Sequence, residues 1–231
     1  MKTISNSSIA SSRPASREST GASKSHRGRP RTFDRDVVLT AAMFLFWERG
    51  YEGVSMDDLT EAMGISPSSL YASFGSKEEL FLTALDKYEK EIGMYWVPIL
   101  ENTTDGREAF VKMFETASRE LTRPDRPRGC MMTLALLHSS PELEPLRRKL
   151  NKRRAAALDI ITARLRRAKR DGDLPEKTPI QNLAQMFMTI FQGMTVRARA
   201  GADRKELLQA GRGAIAAWPT TIHMPLKGQP R

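Results

Sequence analysis

Cysteine is nearly absent from this sequence. Cys130 stands alone among 231 residues, which excludes an internal disulfide framework and fits a reducing compartment, so a cytoplasmic location is expected. No apolar run approaches the roughly 18 residues that span a bilayer, and the N-terminus lacks a hydrophobic signal region, so no membrane partner is expected. Histidine is sparse as well: His26, His138 and His223 are scattered and show no metal-ligand spacing with Cys130. His138 follows Cys130 by about 12 Å along a helix rising about 1.5 Å per residue, too far for a nucleophile and its base. No glycine-rich phosphate loop occurs. Without a metal set, a cofactor motif or a catalytic constellation, an enzyme is not expected.

What is present in excess is positive charge. Lys and Arg number 37 against 27 Asp and Glu, a formal +10, which leaves an anionic partner such as nucleic acid open. Residues 1–31 are rich in Ser, Arg, Lys and Gly and contain no aromatic residue, so they are expected to form a disordered basic arm. Seven basic residues there face Glu18 alone, a formal +6. The arm ends in "RGRPR", in which Arg29 and Arg31, spaced by Pro30, form an extended ribbon suited to a minor groove. The stretch is similar to the core of an AT-hook; a solvated basic linker is the other reading.

Between residues 34 and 80 the pattern is of short helices. Val37, Val38, Ala41, Phe44 and Leu45 recur at helical spacing, and Gly50 stops the run. Ser55 and Asp58 form a capping box for a second helix that Gly64 closes. Ser66 is then the N-cap, with Pro67 at the first helical position, of a third helix, "PSSLYASF", which Gly75 ends. Ser76 and Glu79 box the start of a fourth. Two short helices joined by a tight glycine turn, with a third in front, predict a helix-turn-helix. Leu70 and Phe74, four apart, face inward, leaving Ser68, Ser69, Tyr71 and Ala72 for DNA. Small hydroxyl residues there let the helix approach base edges and hydrogen bond to bases or phosphates. Residues 34–80 carry three basic residues against nine acidic, a formal −6, so binding must rest on oriented groups: the helix starts at Ser55, Ser66 and Ser76, Lys77, Tyr71 and the basic arm.

The stretches "RGYEGVSMDDLTEAMGIS" and "LYxxFxSKEEL" within residues 28–85 resemble the N-terminal region of the TetR/AcrR family of transcriptional regulators. The resemblance implies an all-α fold. An N-terminal helix-turn-helix DNA-binding domain would occupy residues 32–80, and a C-terminal helical ligand-binding and dimerisation domain residues 81–231. It implies a homodimeric repressor on a palindromic double-stranded DNA operator, released by a small inducer. Carried over by position, Ser55 touches phosphate, Ser66, Ser68, Ser69, Tyr71 and Ala72 lie on or beside the recognition surface, and Lys77 anchors phosphate. An architectural AT-rich DNA-binding protein without an inducer is the alternative.

Past Phe81 the pattern stays helical, with Pro98 kinking or ending the fourth helix and "CMMTLALLHSS" a short buried one. The many basic residues from Arg147 to Arg170 read as a solvated face or as a second nucleic-acid surface. Thr178 and Gln181 are expected to box the helix that follows. The apolar faces of 180–201 and 207–218, with Gly193 and Gly211 allowing close approach, suit a four-helix interface between subunits, with packing inside one chain as the other reading. Tyr88, Tyr95, Trp96, Phe110, Phe114, Met131, Phe187 and Phe191 are candidates to line a pocket for an apolar or aromatic inducer; the same residues also serve as plain core. Cys130, after Gly129 at a helix start and near Arg126 and Arg128 in sequence, is a candidate redox or electrophile sensor, or else a small core residue.

Overall fold

The computed structural model describes residues 33–220 apart from residue 138. The arm, including Arg29 and Arg31, lies outside the described residues, as do His26, His138 and His223. The elements are α1 (Arg35–Arg49), α2 (Met56–Met63), α3 (Pro67–Phe74), α4 (Lys77–Tyr88), α5 (Val97–Asn102), α6 (Gly106–Glu120), α7 (Met131–Leu134), α8 (Glu144–Arg170), α9 (Ile180–Arg199) and α10 (Arg204–Ala216). A π-helical turn, Glu89–Gly93, follows α4, and a 3-10 turn, Pro141–Leu143, precedes α8. The all-α fold is the one expected. No helix among the described residues is long and apolar enough to cross a membrane.

Local rules start the first four helices. The Asp34 carboxylate accepts from the Asp36 N–H at 2.9 Å, and the Ser66 hydroxyl accepts from the Ser69 N–H at 3.2 Å. Ser55 with Asp58, and Ser76 with Glu79, close reciprocal capping boxes. Gly64 ends α2 at φ 64°, ψ 28°. A β-carbon resists that left-handed conformation, so the tight turn between α2 and α3 requires glycine.

Two aromatic clusters anchor the core. Around the first three helices, Phe81 meets Phe46 and Tyr51 edge-on, both at 5.1 Å between ring centroids, and Leu59, Leu70 and Leu80 are fully buried. Farther along, Phe187 lies 4.9 Å from Phe110 and 5.6 Å from Phe114, with Trp218 beside them. Each such ring contributes about 1.5–3 kcal/mol by leaving water.

Five sequence expectations change. The buried face of α1 is Val38, Leu39, Ala42, Met43, Phe46 and Trp47, while Val37 is 64% exposed. Helix α4 ends in the π turn, and Pro98 sits in the first turn of α5, where its missing N–H costs nothing. Helix α7 is only Met131–Leu134, with Leu137 exposed. Thr178 caps nothing: a turn from Pro175 holds it, α9 begins after Pro179, and the Thr178 hydroxyl is buried without a partner among the described residues. Gly211 is filled from within the chain, since a β-carbon there would sit 2.7 Å from Cβ of Phe114, whereas Gly193 faces open space.

Candidate nucleic-acid interface

Helix α3 is pinned from behind and open in front. Leu70 and Phe74 are buried, and the Arg35 guanidinium lies 4.9 Å from the Phe74 ring centroid and donates to the Ser73 carbonyl at 3.4 Å. On the other side Ser66, Ser68 and Ala72 are exposed, Ser69 is half-buried and Tyr71 is 54% exposed. The Ser66 hydroxyl donates to Ser69 Oγ at 2.9 Å and lies 3.0 Å from Ser68 Oγ. Three hydroxyls therefore cluster at the start of α3, where the helix dipole is positive and backbone N–H groups lack intrahelical partners.

The flanking groups are held more tightly. Ser55 Oγ donates to the Asp58 carboxylate while accepting from the Asp58 N–H at 3.0 Å, and Arg49 pairs with the same carboxylate at 2.9 Å. The Ser55 hydroxyl first, then its N–H, then Arg49 hold the Asp58 carboxyl below the usual range. The Lys77 ammonium sits 4.5 Å from the Tyr51 ring centroid; burial pushes its pKa down, and Glu52 and Asp58 oppose that shift. Of the sequence-predicted residues, Ser55, Ser66, Ser68, Ser69 and Lys77 are thus at the starts of α2, α3 and α4, and Tyr71 and Ala72 lie farther along α3. Arg35 was missed, because its partners lie 38 residues away.

Part of the acidity of residues 34–80 faces the rest of the chain. Asp36 pairs with Lys87 at 2.7 Å, Glu78 with Lys149 at 2.7 Å and Glu48 with Arg199 at 3.3 Å; the Glu52 carboxylate accepts from the Ser140 N–H at 3.2 Å. Lys87 is almost fully enclosed between Asp36 and Glu91, whose hydrogen bonds raise its pKa. Basic residues of the larger domain neutralise acids of the smaller one; on α8, Arg147, Arg148, Lys149, Arg153, Arg167 and Lys169 pair with acids, while Lys152, Arg166 and Arg170 form a solvated face.

Near this junction lies a small cavity of about 30 Å³, walled by Tyr88, Trp96, Cys130, Arg154, Met188 and Phe191 among others. Of the candidate pocket residues, Tyr88, Trp96 and Phe191 meet here with Cys130. Phe110, Phe114 and Phe187 instead form the solid stack with Trp218, and Tyr95 and Met131 are not in the wall. Burial first, then the neighbouring Cys130, pushes the Tyr88 and Tyr95 hydroxyls well above the usual tyrosine pKa. Arg126 and Arg128 are committed elsewhere, Arg126 to Glu120 and Arg128 to the carbonyls of Gly201 and Ala202; the guanidinium beside Cys130 is that of Arg154, on α8. From the cavity, α9 runs on from Phe191 to Arg199, which donates to the carbonyls of Trp47 and Glu48 at the end of α1. From its other wall, α7 leads to the Ala135 carbonyl, which accepts from the Tyr51 N–H at 3.2 Å.

Residues 38–84 match the family of bacterial regulatory proteins of the tetR type, and residues 106–214 match the tetracyclin repressor-like C-terminal domain. The HTH-type transcriptional repressor ComR of Escherichia coli is 32% identical over 206 residues, covering 89% of this chain and 98% of ComR. BdcR, a repressor of the same organism, is 29% identical and covers 78% of this chain and 86% of its own. Among solved structures, a cysteine mutant of the TetR family regulator CifR, complexed with 26bp double-strand operator DNA, is 41% identical. It covers 83% of this chain and 100% of that one with a TM-score of 0.80.

Proposed function

The chain belongs to the TetR family of DNA-binding transcriptional regulators, and we propose that it is a cytoplasmic homodimeric repressor of a palindromic operator, released when a small molecule occupies the cavity. The observation that carries the reading is α3, with its hydroxyl cluster and Tyr71 presented outward from a buried Leu70 and Phe74. In this reading Ser68, Ser69, Tyr71 and Ala72 meet base edges. The helix starts at Ser55 and Ser66, together with Lys77, meet phosphates, and Arg29 and Arg31 enter the adjacent minor groove. Repression rather than activation is drawn from ComR and BdcR, both repressors.

The second subunit sits on the outward face of α9, where Met186, Ile190 and Val196 flank the open Gly193. The ligand enters between Tyr88, Trp96 and Phe191, and the displaced walls pull on α1 through Arg199 and Ala135. Cys130 lies in the same wall, so an adduct on its sulfur would act as a fixed ligand; loss of electrophile-induced DNA release in Cys130→Ser is expected, and unaltered release removes the sensing role. Tyr95, Phe110, Phe114, Met131 and Phe187 are core that shapes the pocket from behind.

Selection of sites from random duplex DNA by the full-length protein at about 0.15 M salt tests the function. A palindrome with half-sites about one helical turn apart is expected. AT-rich sequences without symmetry would replace this reading with the architectural one.

A further inference from the structure

On α8 several basic side chains pair with acids, Lys149 with Glu78, Arg153 with Asp86 and Glu89, Arg167 with Asp171, and Lys152, Arg166 and Arg170 are exposed to water without one among the described residues. Arg154 is different. It is partly withdrawn from water, and among the described residues no carboxylate lies within salt-bridge distance of it. Its guanidinium donates to the carbonyls of Met132 at 2.9 Å and Thr133 at 3.2 Å, and to Asn151 Oδ1 at 3.0 Å. Arg128 and Arg164 also lack an acid, but both close off main-chain carbonyls and neither belongs to the cavity wall. Arg154 does.

A cation held away from water is unfavourable until an anion or a full set of acceptors reaches it. Carbonyl and amide oxygens supply part of that set, and the same residue is part of the cavity wall. Hydroxyl donors are near the same place. Tyr95 Oη is buried with no partner among the described residues, and Tyr88 is in the wall. The rest of the lining is apolar, with Trp96, Met188 and Phe191. A volume of about 30 Å³ holds a water or two, so the occupant is compact and makes room by moving the flexible Met94, Met132 and Met188.

We infer that the cavity takes a small organic carboxylate, its charged end on the Arg154 guanidinium and its hydrocarbon body against Trp96, Met188 and Phe191. This assigns a chemical class to the ligand of the site proposed above and rests on that reading. Arginine suits the role because its fork matches both carboxylate oxygens, whereas a thiol or hydroxyl alone shows no preference for charge.

Benzoate, benzyl alcohol and benzylamine share a ring and differ in charge, so they are the probes. Each is titrated into the full-length protein by calorimetry, and into its complex with a selected operator duplex by fluorescence anisotropy. Benzoate is expected to bind at millimolar concentration or below, at least about tenfold more tightly than the other two. Arg154→Gln removes that preference and Arg154→Lys keeps part of it. Ala157→Phe fills the cavity and abolishes benzoate binding with Arg154 in place, which keeps the test decisive should Arg154→Gln unfold. Equal binding of alcohol and acid, an acid preference that survives Arg154→Gln, or no benzoate binding at all would overturn the assignment. Benzoate that binds through Arg154 yet leaves the operator complex intact would uphold the anion site and remove ligand gating. Benzyl alcohol that dissolves the complex independently of Arg154 would do the reverse.

Discussion

In the DNA-binding head, the serines at the helix starts are satisfied within one helical turn: Ser55 by Asp58, Ser66 by Ser69, Ser76 by Glu79. In the larger domain several side chains reach across the chain. Arg164 donates to the carbonyls of Thr103 and Thr104, about sixty residues away, Arg199 to those of Trp47 and Glu48, and the Asp173 carboxylate accepts from the Gly106 N–H at 2.7 Å. The helix starts of the head are therefore set by local caps, whereas the larger domain is tied together, and to α1, by hydrogen bonds between residues far apart in the chain.

Breaking the larger domain has the largest effect. Phe187→Ala opens a hole where Phe110, Phe114 and Trp218 meet and costs about 3–5 kcal/mol, measured by chemical denaturation. Arg199→Ala acts at the seam. It leaves the Trp47 and Glu48 carbonyls short of a donor and costs about 2–3 kcal/mol of stability, and it uncouples cavity occupation from DNA release in an anisotropy titration. Tyr71→Ala changes stability by less than about 0.5 kcal/mol but removes about 1–3 kcal/mol of operator binding.

The local caps give the smallest effect, and pH sharpens it. Ser55→Ala costs about 1 kcal/mol near neutral pH. Asp58 and Glu79 are both held below the usual carboxylate range by their serine partners. Their contribution is fully present above the unfolded values near pH 4 and is lost as pH falls through the lower folded values. The difference in stability between wild type and Ser55→Ala is expected to shrink on acidification from about pH 6 to about pH 2; a constant difference would detach the cap from the Asp58 charge.

The same contrast explains what the sequence revealed. Capping residues three apart and the Leu70–Phe74 pair four apart are local, so the short helices of the head and the buried side of α3 were readable. Helix α1 was read one face over because "VVLTAAMFLFW" is apolar on almost every side, and spacing alone does not choose between stripes of equal period. The Thr178 box failed because a turn from Pro175 claimed its backbone. Gly211 gave no sign that Phe114 would fill it. Nor did Arg154, one basic residue in a run of them, show that it alone among its neighbours would face the cavity without an acid. Each depends on partners far off in the chain.

The most direct test of a head that reads bases through α3 is to repeat the site selection with Tyr71→Ala. A palindrome of unchanged symmetry and half-site spacing is expected, with the preferred bases changed at one or two positions in each half-site. The same sequence, selected with uniformly weaker affinity, would contradict this and reduce Tyr71 to a phosphate contact.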